Sequence, residues 1–179
     1  MSYFAAAVAR NADGWSASEV SLADAADVED VADRLRDADP SADVSLLFVE
    51  SDDAYLVILR LDLGEDLRVF GSDVVFAEES RIGALLLGDV AQPVIELEAV
   101  ELAVAEPSES VDEPDESNES PPPADADPAG DADLLADLGV PASRLLELCS
   151  QEGMLPSDIT AEVCQAIGCG DEVEELRVA

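Results

Sequence analysis

The sequence predicts an α+β fold, a small antiparallel sheet with helices on one face, followed by an acidic disordered linker and a short helical C-terminal segment. Three observations carry this. Residues 44–61, VSLLFVESDDAYLVILRL, are two strand-length runs of Val, Ile, Leu and aromatics around the polar turn Ser51, Asp52 and Asp53, the pattern of a central hairpin. Residues 24–37 place Val28, Val31, Ala32 and Leu35 at i, i+3, i+4 and i+7, the stripe of an amphipathic helix. Residues 105–130 hold nine acidic residues, six prolines and no basic residue, and little that is apolar beyond alanine and Val111. Such a stretch cannot bury enough surface to offset its ordering entropy. The expected division is therefore a sheet domain over 1–104, a Pro-rich linker over 105–130 and a helical segment over 131–179.

In chain order, residues 2–10 form an apolar run and the turn signal Asn11, Ala12, Asp13, Gly14 leads into residues 15–20, a first hairpin. The helix over 24–37 follows, with Asp24, Asp27, Glu29 and Asp30 early and Arg34 and Arg36 late, both suited to the macrodipole; Asp39 and Pro40 stop it. After the central hairpin, Leu63, Gly64, Glu65 and Asp66 form a turn, and residues 67–70 a third short strand of that group. Ser72 or Asp73 caps a helical stretch over 74–87, whose Gly83 argues against one continuous helix. Residues 93–104 alternate Glu with Val, Ile and Leu, as an edge strand or the start of the tail.

Beyond the linker, residues 131–138 make a turn or two, and Pro141 opens a helix to about Gln151 with Ala142, Leu145, Leu146 and Cys149 on one face. Ser157 or Asp158 caps a second helix, with Ile159, Val163, Ala166 and Ile167 on one side and Gly168 as its stop. Residues 171–174 resemble a capping box that opens a last short helix to Arg177. These helices form a mini-domain, or dock on the sheet domain or on a partner.

The 179 residues carry 43 acidic and eight basic side chains, a net charge of −35, and every basic residue is arginine. Codon bias in a G+C-rich genome produces a similar composition. Whatever its origin, the charge repels phosphate backbones and anionic membranes, arguing against direct nucleic-acid or membrane binding, and attracts basic surfaces. Cys149, Cys164 and Cys169 are odd in number and confined to the tail, unlike a disulfide framework. With no signal-peptide pattern and no long apolar run, the expectation is a reduced, cytoplasmic protein.

Catalytic constellations are missing. Without histidine there is no Ser-His-Asp or Cys-His pair; without lysine, no Walker or Schiff-base lysine. Zinc lacks ligands, because Cys164 and Cys169 stand five apart and no histidine completes the set. Residues 125–130 brush the calcium-loop pattern but fail at Ala129 and Ala136. Cys149 and Cys164 read as buried small hydrophobes, and Cys169, beside two glycines, as the exposed one. The expectation is no enzyme, no cofactor, no metal and no catalytic residue.

Three stretches carry a resemblance: MSYFAAAVAR…GW, LLFVESDDAYLVILRL…RVFGSD and LGVPASRLLELCSQEGMLP…DEVEEL. Together they resemble the bacterial family of tRNA adenosine deaminase-associated proteins. The resemblance implies a partner or pathway and supplies no catalytic residues. A zinc nucleobase deaminase needs H-x-E and P-C-x-x-C, and the chain has neither. The expected function is a noncatalytic interaction or regulatory protein, with a tRNA adenosine deaminase as the implied partner and the acidic tail and C-terminal helices as its contacts. The alternative is an acidic nucleic-acid mimic or chaperone-like factor for basic proteins.

Overall fold

The computed structural model describes residues 3–51, 54–88 and 128–178. Within them lies one sheet in the order β2-β1-β3-β4-β5-β6, antiparallel at every junction. Its strands are β1 (Tyr3–Asn11), β2 (Gly14–Glu19), β3 (Val44–Ser51), β4 (Tyr55–Asp62), β5 (Asp66–Gly71) and β6 (Ala129–Gly130). The chain is α+β, as its patterning predicts, and the β3–β4 hairpin occupies the middle of the sheet.

Side chains alternate across these strands, so each face has its own core. On the first, Leu47, Val49, Tyr55, Val57, Leu59 and Leu61 meet α1 (Val28–Ala38) through Val31, Ala32 and Leu35, with Leu86 and Leu87 of α3 (Arg81–Leu87) beside them. Ala5 and Ala7 of β1 face this layer. On the second, Val8, Leu46, Phe48, Leu56, Ile58 and Phe70 meet the C-terminal segment: a 3₁₀ helix (Ala132–Leu138), α4 (Ala142–Ser150), α5 (Pro156–Ile167) and α6 (Gly170–Val178). The C-terminal helices thus dock on the sheet. Burial on both faces explains why β3 and β4 read as uninterrupted apolar runs rather than alternating ones.

Several local expectations are corrected. The stretch 74–87 is two helices, α2 (Val74–Glu78) and α3, and the break falls at Ser80 rather than at Gly83. Asp73 is the cap of α2, accepting from the Val75 and Phe76 amides at 3.0 and 3.2 Å. Ser80 Oγ accepts from the Gly83 amide at 2.9 Å and also bonds the buried Tyr55 hydroxyl. Gly83 has a different role: a Cβ there would stand 2.2 Å from the Ala77 carbonyl oxygen, so only glycine lets α3 fold back on α2.

In the tail, α4 buries Leu145 and Leu148, while Leu146 is exposed. α5 begins at Pro156, so Asp158 is inside its first turn and reaches back to the Leu155 amide at 3.3 Å. Ala166 is exposed. α6 begins at Gly170, and its Val173 amide bonds the Cys169 carbonyl. Ala129 and Gly130, inside the stretch read as linker, pair with Gly71 and Phe70, a ladder too short to leave a sequence pattern. The edge-strand reading of 93–104 and residues 105–127 of the linker lie outside the described residues.

Gly83→Ala tests the α2–α3 contact. Helix propensity alone would favour alanine by about 1 kcal/mol; the backbone collision should instead cost about 1–3 kcal/mol, read as a lower urea midpoint with unchanged slope.

Candidate functional site

The surface is shaped by what the arginines do. Six of the eight tie a loop to a helix or the C-terminal segment to the sheet. Arg34 donates to the Ser21 carbonyl, and Arg81 to the Ala23 and Ala25 carbonyls at 2.9 and 3.1 Å. Arg36 donates to the Gly64 carbonyl at 2.6 Å and pairs with Asp33. Arg60, Arg68 and Arg177 bind the C-terminal segment to the sheet, as set out below. Of the remaining two, Arg144 pairs with Glu147 and Glu162, and Arg10 lies over the Trp15 ring at 5.7 Å. With the cations committed internally, the outer surface is left to carboxylates.

Arg60 is the centre of the C-terminal clasp. It points from β4 into the second face and is only 4% exposed. Its guanidinium takes Asp137 by both terminal nitrogens, Nη2 to Oδ2 at 2.8 Å, while Nη1 also donates to the Leu134 carbonyl at 2.6 Å. Nε donates to Asp62 at 2.9 Å. Arg68 adds a 2.9 Å bond to Asp62 and a 3.6 Å pair with Asp131. A buried guanidinium needs this much satisfaction to offset its desolvation. The Arg60 hydrogen bond holds Asp137 below its usual pKa. Asp62 is raised by its own burial, but bonds from Arg60 and Arg68 outweigh that, so it too sits low.

A second polar cluster lies where α5 and α6 meet β3. Glu50 is 7% exposed and accepts from Arg177, whose guanidinium also stands 5.5 Å over the Phe4 ring. The Thr160 hydroxyl donates to the Pro156 carbonyl at 3.0 Å and lies against the same carboxylate. Burial raises the Glu50 pKa; Thr160 and Arg177 offset only part of it. Beneath are Cys164 and Cys169. Gly168 turns the chain with φ +92°, and the Cys169 amide bonds the Cys164 carbonyl at 2.8 Å. This helix-ending motif brings Cys164, the fourth residue from the end of the helix, and Cys169, the second residue past it, into contact, with the two thiols side by side. Cys169 is therefore fully buried, against the expectation that it is exposed. Cys149 is half-buried. Its thiol is pushed up to about 11 by burial, and that of Cys164 is raised by its bond to Cys169 and by burial. Neither has the thiolate a nucleophile requires.

A groove of about 540 Å³ separates α5 from α6, lined by Cys164, Val173, Gln165, Asp171, Glu174 and Arg177 among others. Its cation already belongs to Glu50, so the polar groups do not converge on a shared point. Among the described residues, no cluster of three Cys, Asp or Glu has metal-holding geometry, and no helix is long and apolar enough to cross a membrane. Of the calcium-like stretch, residues 125–127 lie outside the described residues. The C-terminal helices, read as a partner contact, spend most of their apolar surface on the sheet, while Leu146 of α4 and Val178 of α6 stay exposed.

Both ionic clusters escape a sequence reading because their partners stand 77 and 127 positions apart. The available signal was a charge inside a buried run: Arg60 in VILRL and Glu50 in FVES. A family model described as Rv3753c-like tRNA adenosine deaminase-associated protein matches residues 3–170. No curated protein and no solved structure matches the chain.

Two variants test the clusters. Arg60→Leu should lose about 2–3 kcal/mol at neutral pH, less than a stranded buried charge costs because water reaches Asp137. Asp62 and Asp137 have lowered folded pKa values, so this stabilisation is present above their unfolded values and lost as pH falls through the folded ones; the difference between variant and wild type should shrink in acid melts. Glu50 has the opposite sign. Its raised pKa means protonation favours the fold, so Glu50→Gln should lie within about 1 kcal/mol of wild type at pH 7, and any advantage should fade toward pH 4.5.

Proposed function

We propose that this chain, which belongs to the family of Rv3753c-like tRNA adenosine deaminase-associated proteins, is a noncatalytic, cytoplasmic partner of a tRNA adenosine deaminase. It sits on the basic, RNA-facing surface of that enzyme and tunes access to tRNA. The family match over residues 3–170 carries this reading. The chemistry of the chain is consistent with it. Neither H-x-E nor P-C-x-x-C occurs, so the deamination itself falls to another protein. A net charge of −35 with the arginines turned to internal contacts opposes direct tRNA binding, whose affinity comes from cations on phosphates. The same charge speeds encounter with a cationic surface and makes it salt-dependent.

The acidic composition also favours a second reading, a nucleic-acid mimic or chaperone-like factor for basic proteins at large. Selectivity separates the two: a mimic binds several basic proteins comparably, a dedicated partner one.

Isothermal titration against the purified tRNA adenosine deaminase, at low and at physiological salt, decides. Micromolar or tighter binding that persists at physiological salt is expected. Binding that vanishes with salt indicates charge alone, equal binding to unrelated basic proteins indicates the mimic, and no heat at either salt removes the reading.

A further inference from the structure

Leu63 occupies a position that suits leucine badly in two ways. At the β4–β5 tip the Glu65 amide bonds the Asp62 carbonyl at 3.0 Å, and the central residues Leu63 and Gly64 have φ of +51° and +74°. Positive φ at both is the type I′ pattern, where Asn-Gly or Asp-Gly is usual. A leucine there sets its Cβ against the following carbonyl. Among the described residues it is the single non-glycine with positive φ. It is also 74% exposed, so packing among the described residues offsets little of the strain.

The tip is held rather than loose. The Leu63 amide donates to the Asp43 carbonyl at 2.9 Å, and Arg36 Nε to the Gly64 carbonyl at 2.6 Å. The Arg36 stem covers Gly64, and its charge is shared with Asp33 and Glu29. Around the leucine, Asp43, Glu65 and Asp66 are exposed and make no ion pair among the described residues. Val75 and Phe76 of α2 are exposed as well, but on ordinary helical backbone with no strain to account for.

We propose that this tip is the docking knob for a basic protein surface: Leu63 enters an apolar pocket, and Asp43, Glu65 and Asp66 pair with the cations around it. The inference rests on the proposed function and states where on this chain the deaminase sits. An apolar centre with a charged rim is the usual anatomy of an interface, and a knob already fixed by two tertiary hydrogen bonds loses little freedom on binding. Strain kept at an exposed residue is the trace of such use.

The test is titration of full-length wild type and Leu63→Asn against the purified deaminase at physiological salt, with thermal melts of both. Asparagine accepts the left-handed conformation, so the variant should melt a few degrees higher while binding at least about tenfold more weakly, 1.4 kcal/mol; Leu63→Gly should follow it in binding. Leu146→Asn, at an exposed leucine of α4, should leave affinity unchanged. Wild-type affinity in Leu63→Asn overturns the proposal and leaves the proposed function standing. A lower melting temperature in Leu63→Asn overturns it too, since the leucine then serves the fold. A concentration-dependent wild-type dimer abolished by the variant assigns the tip to a second copy of this chain instead. No binding by wild type removes the proposed function, and the inference with it.

Discussion

Eight guanidinium groups must hold together a chain with 43 carboxylates, and where they are placed decides much of the rest. Self-repulsion opposes any compact state of so acidic a chain. It is answered by siting cations where segments distant in sequence meet. Arg60 and Arg68 bind the start of the C-terminal segment, Arg177 binds its end, and Arg34, Arg36 and Arg81 tie loops to α1 and α3. Arginine suits this role because its planar fork serves a carboxylate and a backbone carbonyl at once, as at Asp137 and Leu134.

The clasp works together with the hydrophobic effect. The second face of the sheet is apolar at Leu46, Phe48, Leu56, Ile58 and Phe70, too large an area to leave in water, and the C-terminal helices are too short to stand alone. Each supplies what the other lacks. Burial provides most of the driving force and the ion pairs set the register, so α6 ends with Arg177 against Glu50 and Phe4. The result is a three-layer body with each face of the sheet covered by a different part of the chain.

The consequence for function is a surface from which cationic chemistry has been withdrawn. Burial raises the Cys149 and Cys164 thiols, and the groove between α5 and α6 shares its arginine with the sheet. What remains outward is carboxylate, interrupted by a few apolar side chains, and Leu63 is the one whose backbone also bears a cost. A family defined by association with a tRNA-modifying enzyme accords with such a surface, since a protein that reads RNA exposes the complementary charge.

The sequence by itself determined the elements whose signal is local. The stripe of Val28, Val31, Ala32 and Leu35, a cap at Ser72 or Asp73, and the central hairpin all follow from neighbouring residues, because helix and strand periods and capping bonds span only a few positions. It even held an unread sign of the second layer, the lack of alternation in β3 and β4. Tertiary structure alone decided which face each short helix buries, and so Leu148 rather than Leu146, and Cys169 inside rather than out. It decided the partners of Arg60 and Glu50, and the left-handed backbone at Leu63. These depend on surfaces that become neighbours only after the chain has folded, and a window of sequence contains one side of each contact.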